Sequence, residues 1–579
     1  MFENYLIRLC CVVAFSWASS AVADRLEAPE AATGLHTRTA VVRQHALVVA
    51  ANPLAVAAGV EMLKRGGNAI DAAIAVELVL GLVEPQSSGI GGGSFMMYYQ
   101  HSDKQVLAYD GRETAPAAAT ADMFMLDEDQ PMSFYQAVVG GRSVGVPGLL
   151  RMLELAHQQH GRLPWRILFT PAIKLANKGF IVSPRLHSLV AKDAYLSLQP
   201  AARTYFYHAD GTPIAAGERL VNRAYANVLL RVANEGAKAF YTGKIAQDIV
   251  TTVHMHPTNP GRMHMGDLAQ YQAKSRAPLC GSYHAYVLCG MPPPSSGGVA
   301  LLQIFGILGH YDVAGLQPDS VQAVHLISEA ERLAFADRNM YLADDDFVAV
   351  PIAGLLDPAY LRQRASLIDT EFSMGVATAG VPAGAVSMSK DNALELPSTS
   401  HLSIVDKWGN AVSMTSSIED AFGSRHMVDG FLLNNELTDF SFMPDQNGKL
   451  VANRVQANKR PRSSMTPTLI LDGQHELVGA IGSPGGSSII NYVAKTLIGV
   501  LDWHLDMQQA VALPNFGSRN GPTELESGTG LVSLQSELEM MGHDVKVGEA
   551  NSGLHGFMRV QNGWMGGVDP RREGSADGY

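Results

Sequence analysis

Two neighbouring stretches, residues 54–65 and 69–81, read as helices that are apolar over most of their surface, separated by Gly66-Gly67-Asn68. A helix without a polar face needs cover on every side, so each is expected to be sandwiched between other layers. That requirement points to a thick, multilayered fold. Asp71 and Glu77 interrupt the apolar run from 69 to 83, which therefore reads as a buried helix and not a bilayer span. Charged residues at 17% and hydrophobic ones at 47% exclude a disordered or coiled-coil chain and fit a well-packed enzyme.

The remaining elements follow from local pattern. A glycine-rich stretch, residues 87–94, precedes a strand at 95–99. It does not open a helix and carries no P-loop lysine, so it predicts a tight backbone approach and not a phosphate site. Helical patterns run from 147 to 190 and from 320 to 341, and Pro292-Pro293-Pro294 leads through Ser295-Ser296-Gly297-Gly298 into a helix at 299–307. Residues 375–397, rich in Ala, Gly and Ser, are expected to be a flexible approach. Beyond them the period changes to two: strands at 402–406 and 411–415, joined by Lys407-Trp408-Gly409-Asn410, form a hairpin. Helices outside central antiparallel strands predict an α+β fold with four αββα layers.

Thr399 opens the first of those strands. If the chain is cut just before it, the freed α-amine, with a reference pKa of about 7.7–8.0, can act as general base on the hydroxyl of the same residue. His401 shares a strand face with Thr399, but an amine base needs no imidazole, and a structural role is expected for it.

The N-terminus carries Arg8, an apolar run through Cys10, Cys11, Val12 and Val13, and then Ala21-Val22-Ala23 before Asp24. This predicts a secretory signal peptide, residues 1–23, and an exported chain, periplasmic or secreted; a retained anchor is the alternative. The formal charge of −12, with no runs of Lys or Arg, gives nucleic-acid binding little support and leaves small-molecule chemistry as the better class. Cys280 and Cys289 would face each other across a hairpin turning at His284-Ala285, as a disulfide or as two buried thiols. No spacing suggests a metal site: Asp344-Asp345-Asp346 read as loop or capping residues, and neither metal nor cofactor is expected.

Several blocks occur in an order that resembles the γ-glutamyltransferase family (γ-glutamyltranspeptidase, glutathione hydrolase) of the N-terminal-nucleophile hydrolases. They are residues 66–73, Val83-Glu84-Pro85, residues 89–93, residues 292–298 and Gly482-Ser483-Pro484-Gly485-Gly486, and the likeness spans about 46 to 579. The resemblance implies autocatalytic cleavage of the Ser398-Thr399 bond, giving a large fragment, 24–398, and a small one, 399–579, that stay associated as a heterodimer and build the sandwich together. It implies a γ-glutamyl ester on Thr399, formed from glutathione or another γ-glutamyl amide and resolved by water or by an amino-acid or peptide acceptor.

The same resemblance implies roles for named residues. Gly485 and Gly486 match oxyanion-hole glycines, an ordinary Pro-Gly turn being the alternative. Arg112 matches a carboxylate-binding arginine, with a surface ion pair to Asp110 or Glu113 as the alternative; Ser463 and Ser464 match serines that bind the same carboxylate. Asp439 matches the acidic partner of the substrate ammonium. Three positions depart from the family pattern. Ser417 replaces a threonine that supports the nucleophile, Glu419 an asparagine and Glu436 a glutamine. The two added carboxyls should raise at least one pKa in the group. They keep open a glutaryl or cephalosporin acylase, or a poly-γ-glutamate hydrolase, on the same fold; an inactive exported binding protein is the third reading. Residues 441–459 fit either a lid or a surface loop.

Overall fold

The computed structural model describes residues 37–396 and 398–579, so the signal-peptide expectation at 1–23 lies outside the described residues. Two seven-stranded sheets form the centre. One runs Ser575–Gly578, Leu47–Ala50, Thr399–Val405, Ala411–Ser417, Gly93–Gln100, Gln105–Asp110, Lys274–Arg276, antiparallel throughout. The other runs Val41–Arg43, Gly563–Val568, His555–Val560, Leu477–Gly482, Thr468–Asp472, Tyr286–Gly290, Leu279–Tyr283, again antiparallel. Each sheet interleaves strands from both sides of Ser398-Thr399.

Period-two alternation divides the first sheet between two cores. Val48, Ala50, Met96, Tyr98, Leu402 and Ile404 join the core beneath helices Pro53–Lys64 and Ala69–Val83. Leu47, Val49, Phe95, Met97 and Val405 join the second core, with Leu469 and Ile481 of the other sheet and helices Gly297–Leu308, Val321–Tyr341 and Ile489–Leu501. The layers are α, β, β, α, as the sequence predicts.

Helix Ala69–Val83 begins at a capping box: the Asn68 side chain accepts from the Asp71 N–H at 3.1 Å and Asp71 accepts from the Asn68 N–H at 3.0 Å. It is buried all round except at Gly81. Helix Pro53–Lys64 departs from the expectation: Leu54, Ala57 and Lys64 are exposed and only its inner face is covered. Its outer stripe is Pro53, Leu54, Ala57 and Lys64, with Glu61 half-buried, while Ala55, Ala58 and Gly59 pack inward.

The hairpin forms as read, with Asp406 accepting from the Trp408 and Asn410 N–H groups at 2.9 and 3.0 Å. Cys280 lies opposite Cys289 and the two form a disulfide, with His284 at φ 49° in the turn. The glycine-rich loop makes the expected close approach: a Cβ on Gly91 would lie 2.0 Å from the Leu432 carbonyl oxygen, and one on Gly92 2.1 Å from that of Ser417.

Residues 375–396 are not a loose tether. The Ala377 N–H donates to Asn520 at 2.7 Å, Gly380 to Asp337 at 2.8 Å and Asp391 to the Asn339 carbonyl at 2.8 Å. Low periodicity here reflects anchoring by scattered polar contacts. Within 441–459, Asp445–Gln446 and Lys449–Leu450 form a small hairpin, and no residue of the segment lines the pocket at Thr399.

Candidate active site

Strand pairing sets Thr399 directly opposite Ser417, at the end of the hairpin where Gly92 presses on the Ser417 backbone. Thr399 Oγ1 donates to Ser417 Oγ at 3.4 Å, and Ser417 Oγ donates to the Ser398 carbonyl oxygen at 3.0 Å. Ser417 also accepts from the Glu419 N–H at 2.9 Å, so its one donor and two acceptor positions are all used. A hydroxyl bridge thus joins Thr399 to the carbonyl of the bond preceding it. Ser398 is held from the other side, its Oγ donating to the Gln86 carbonyl at 2.6 Å.

A pocket of about 20 Å³ gathers Arg112, Thr399, Ser417, Glu419, Glu436, Asp439, Ser463, Ser464 and Gly486 around this bridge. Gly485 borders an adjoining cavity. Of the candidate catalytic and substrate-binding residues, all but Gly485 therefore line one pocket. Gly485 and Gly486 have φ of 140° and 56°, the left-handed region where glycine is favoured, and they lead through a 3-10 turn into helix Ile489–Leu501. A Cβ on Gly486 would sit 2.7 Å from the Glu395 carbonyl oxygen, so the backbone of residues 395–396 lies directly on it.

Arg112 is buried, which removes the surface-pair alternative. Its Nη1 donates to Glu436 and its Nη2 to Asp439 and, at 2.9 Å, to the Arg462 carbonyl; Nε donates to the Pro461 carbonyl at 3.2 Å. Burial would lower the guanidinium's pKa, but Glu436, Asp439 and Glu113 outweigh it and raise it. The carboxyls are less well served. Both oxygens of Glu113, Oε2 of Glu436 and Oδ1 of Asp439 have no hydrogen-bond partner among the described residues. Burial lifts Glu113, Glu436 and Asp439 above the usual carboxyl range, with Arg112 opposing. Glu419 is lifted by burial and by Asp439, Asp420 and Glu436, although it accepts from Asn435 Nδ2 and, at 3.3 Å, from the Leu396 N–H. The raised pKa expected for the added carboxyls extends to the whole group.

Sequence reasoning missed a second charge cluster. Glu395 accepts from Arg338 and from Ser464 Oγ, and from Arg462 at 3.2 Å; Arg462 also pairs with Asp391 at 2.9 Å. Burial pushes Glu395 up, yet Arg338 and Arg462 dominate and bring it down to about 2. Arg462 lies next to the candidate serines, in Arg460-Pro461-Arg462-Ser463-Ser464, and was the one available signal. Ser464 is thus engaged by a side chain of the segment preceding Thr399, while Ser463 Oγ accepts from the Met465 N–H at 3.1 Å.

His401 is structural in its contacts: Nδ1 meets Thr415 Oγ1 at 2.8 Å and Nε2 meets Ser403 Oγ at 3.0 Å, and burial holds it well below its ordinary pKa. Asp344, Asp345 and Asp346 are tied to Arg276, and Asp344 accepts from the Arg460 N–H at 2.8 Å. His325, Glu329 and His543 converge as well, but as a closed network: His325 Nδ1 meets His543 Nε2 at 2.7 Å, His325 Nε2 the Asp369 carbonyl at 2.7 Å, and His543 Nδ1 Thr523 Oγ1 at 2.8 Å.

Known proteins share this arrangement of sequence and fold. The family model described as Gamma-glutamyltranspeptidase matches residues 55–579. A glutathione hydrolase proenzyme of Bacillus subtilis (strain 168) is 36% identical over 547 residues, 92% of this chain and 91% of its own. An Acylase ACY 1 proenzyme of Pseudomonas sp. (strain SE83) is 35% identical over 487 residues, 83% of this chain and 84% of its own. The solved cephalosporin acylase of Bacillus halodurans superposes with a TM-score of 0.81 over 94% of this chain and 98% of its own; at 24% identity this is a likeness of fold. With the matched blocks, the αββα layers and the whole-length identity in agreement, the chain belongs to the gamma-glutamyltranspeptidase family.

Proposed function

We propose that this chain cuts its own Ser398-Thr399 bond and then works as a γ-glutamyl hydrolase and transferase on glutathione and related γ-glutamyl amides. In the first step Thr399 Oγ1 attacks the Ser398 carbonyl, polarised by the Ser417 hydroxyl, and the amide becomes an ester that water opens. The freed Thr399 amine then serves as base while Oγ1 attacks the γ-carbonyl of the substrate, and the N–H groups of Gly485 and Gly486 stabilise the oxyanion. Water or an amine releases the γ-glutamyl group. Fragments 24–398 and 399–579 stay together as a heterodimer because each sheet needs strands of both. The relatives that carry the word proenzyme in their names support the processing step.

The observation that carries the substrate class is the surplus of buried carboxyl oxygens without donors on Glu113, Glu436 and Asp439, beside one guanidinium. An α-ammonium brings three N–H donors and a positive charge to that place, and the α-carboxylate goes to Ser463 and Ser464 with Arg112. A glutaryl group has no ammonium and would leave the carboxyls unsatisfied. The acidic pair Glu419/Glu436 therefore argues for a γ-glutamyl donor over the acylase reading. Export is supported by residues 1–23 and by the Cys280–Cys289 disulfide, a bond that persists in oxidising compartments. No helix among the described residues is long and apolar enough to cross a membrane.

Intact-mass analysis of wild type and Thr399→Ala, with γ-glutamyl-anilide turnover on the same samples, tests the reading. Wild type should split at Ser398-Thr399 and turn over; the variant should stay whole and inert. A whole, active wild type would refute the nucleophile, and cleavage without turnover would refute the substrate class.

A further inference from the structure

Of the two acids in helix Ala69–Val83, Asp71 closes the capping box, whereas Glu77 lies mid-helix and caps nothing. Glu77 is 1% exposed, on a helix whose neighbours form the apolar core beneath the first sheet. Its Oε1 accepts from Ser416 Oγ at 2.5 Å, and its Oε2 has no partner among the described residues. A buried carboxyl oxygen without a donor is costly, and a leucine would fill the place without that cost. Burial raises the pKa of Glu77 to about 7, with the Ser416 hydroxyl opposing, so the group is largely neutral below that pH. Tyr225, the titratable neighbour from helix Arg223–Glu235, is tied elsewhere, its hydroxyl donating to the Leu78 carbonyl at 3.1 Å.

Ser416 precedes Ser417, and the two point to opposite faces of the sheet. Ser417 is held on the pocket face by Thr399, the Ser398 carbonyl and the Glu419 N–H; Ser416 is held on the helix face by Glu77. The end of strand Ala411–Ser417 is thus fixed from both sides at successive residues. On the neighbouring strand Ser400 follows Thr399, pairs directly with Ser416 and shares the helix face with Leu402 and Ile404. Its Oγ is buried and has no partner among the described residues. On the other side of Ser416, Ser94 rests its hydroxyl on Met152 Sδ at 3.3 Å. A row of three serines therefore backs the Thr399–Ser417 pair, and Glu77 ties its middle member to the helix.

Resting on the reading above of Thr399 as nucleophile, we propose that Glu77 is a positioning residue for the Thr399–Ser417 pair, acting through Ser416. The capped, buried helix is the fixed support. The bond to Ser416 sets how far the strand end stands from it, and with that the height of Ser417 Oγ beside Thr399 Oγ1. Those two hydroxyls are 3.4 Å apart, which leaves little reach to lose. A misplacement of about 1 Å can cost about a hundredfold in rate. An acid at a place where an apolar residue would be more stable fits a role in activity and not in folding.

The test compares wild type, Glu77→Gln and the double variant Glu77→Leu/Ser416→Ala, with each also placed in the Thr399→Ala background for urea unfolding at pH 6. Replacing both partners of a buried hydrogen bond by apolar groups is nearly neutral or stabilising, so the urea midpoint of the double variant should be unchanged or raised. Its rate of self-cleavage and its kcat for γ-glutamyl anilide should both fall roughly ten- to a hundredfold. KM should stay within about twofold, because Arg112, Ser463 and Ser464 are untouched. Glu77→Gln, which can still accept from Ser416, should keep most of both rates. A double variant as fast as wild type, or one whose urea midpoint falls together with its rates, would overturn the positioning role, as would a raised KM with kcat unchanged. Wild type that fails to split or to turn over would instead refute the nucleophile reading, and the inference with it.

Discussion

Around Arg112 one guanidinium faces three carboxyl groups, of Glu113, Glu436 and Asp439, with Glu419 beside the last two, whereas around Arg338 and Arg462 two guanidiniums face two, of Glu395 and Asp391. Both clusters are buried and both reach the Thr399 pocket. In the first, every carboxyl is raised; in the second, Glu395 is brought down to about 2. Burial penalises a lone charge and spares a matched one, so the balance of partners decides the sign. The unbalanced cluster leaves carboxyl oxygens that the α-ammonium of the proposed substrate would satisfy. The balanced one is complete in the uncut chain, and one of its members sits four residues before the bond proposed to break.

The largest effect should come from making the unbalanced cluster worse. Arg112→Met removes its one cation and should destabilise the uncleavable Thr399→Ala protein by about 3–5 kcal/mol near neutral pH, the usual cost of stripping a buried ion pair, and abolish turnover in the processed form. The sign with pH follows from the raised carboxyls. Their contribution to stability is present at low pH and is lost as pH rises through their folded pKa values. The penalty measured by urea unfolding should therefore shrink from pH 8 to pH 5. A small penalty independent of pH would mean the carboxyls do not depend on Arg112.

Breaking the balanced cluster should cost somewhat less and show the opposite pH trend. A shift of Glu395 from 4.5 to about 2 corresponds to roughly 3 kcal/mol, so Glu395→Gln in the Thr399→Ala background should lose about that much at pH 7. Glu395 has a depressed folded pKa: its stabilisation is present above 4.5 and is lost as pH falls toward 2. The gap between the two proteins should close over that window. In the processed enzyme, where residue 395 is near a free chain end, the gap should be smaller at every pH. An undiminished gap would place Glu395 among residues that stay put after the cut.

These clusters were unequally legible. The carboxyls around Arg112 lie in short sequence blocks whose spacing survives comparison, and Glu419 and Glu436 stood out as departures. The hairpin was legible because alternation and a Gly-containing turn are local signals. The second cluster joins residues 338, 391, 395 and 462 through tertiary packing alone. Glu395 lies in a stretch whose Ala, Gly and Ser composition resembles a tether, and Arg338 sits on helix Val321–Tyr341, where Glu329, Glu331, Arg332 and Asp337 are also buried. Charges spread around a helix look like a solvated surface. Here they are satisfied across the fold instead, as when Arg332 donates to Thr523 Oγ1 at 2.7 Å. Helix Pro53–Lys64 departs in the reverse direction: its apolar composition suggests cover on every side, yet Pro53, Leu54 and Ala57 face water.

The finest test of the contrast is Glu419→Gln, which removes one carboxylate from the unbalanced cluster without touching Arg112. Because the cluster's carboxyls titrate above their usual range, more of them become anionic as pH rises, and a substrate ammonium should bind better in step. The KM for γ-glutamyl anilide in wild type should fall between pH 6 and pH 8. One hydrogen bond to a charged group contributes about 1.5–3 kcal/mol when intact, and part of it survives in the neutral amide. The variant should accordingly show a KM at pH 8 raised by only a few-fold, with a shallower fall across the same range. The glutamine amide also puts a donor near the Leu396 N–H, now 3.3 Å from Glu419 Oε1, so the variant precursor should hold residues 395–396 less firmly. Faster self-cleavage together with the flattened KM profile would tie both effects to that one carboxylate, and an unchanged KM profile would remove Glu419 from ammonium binding.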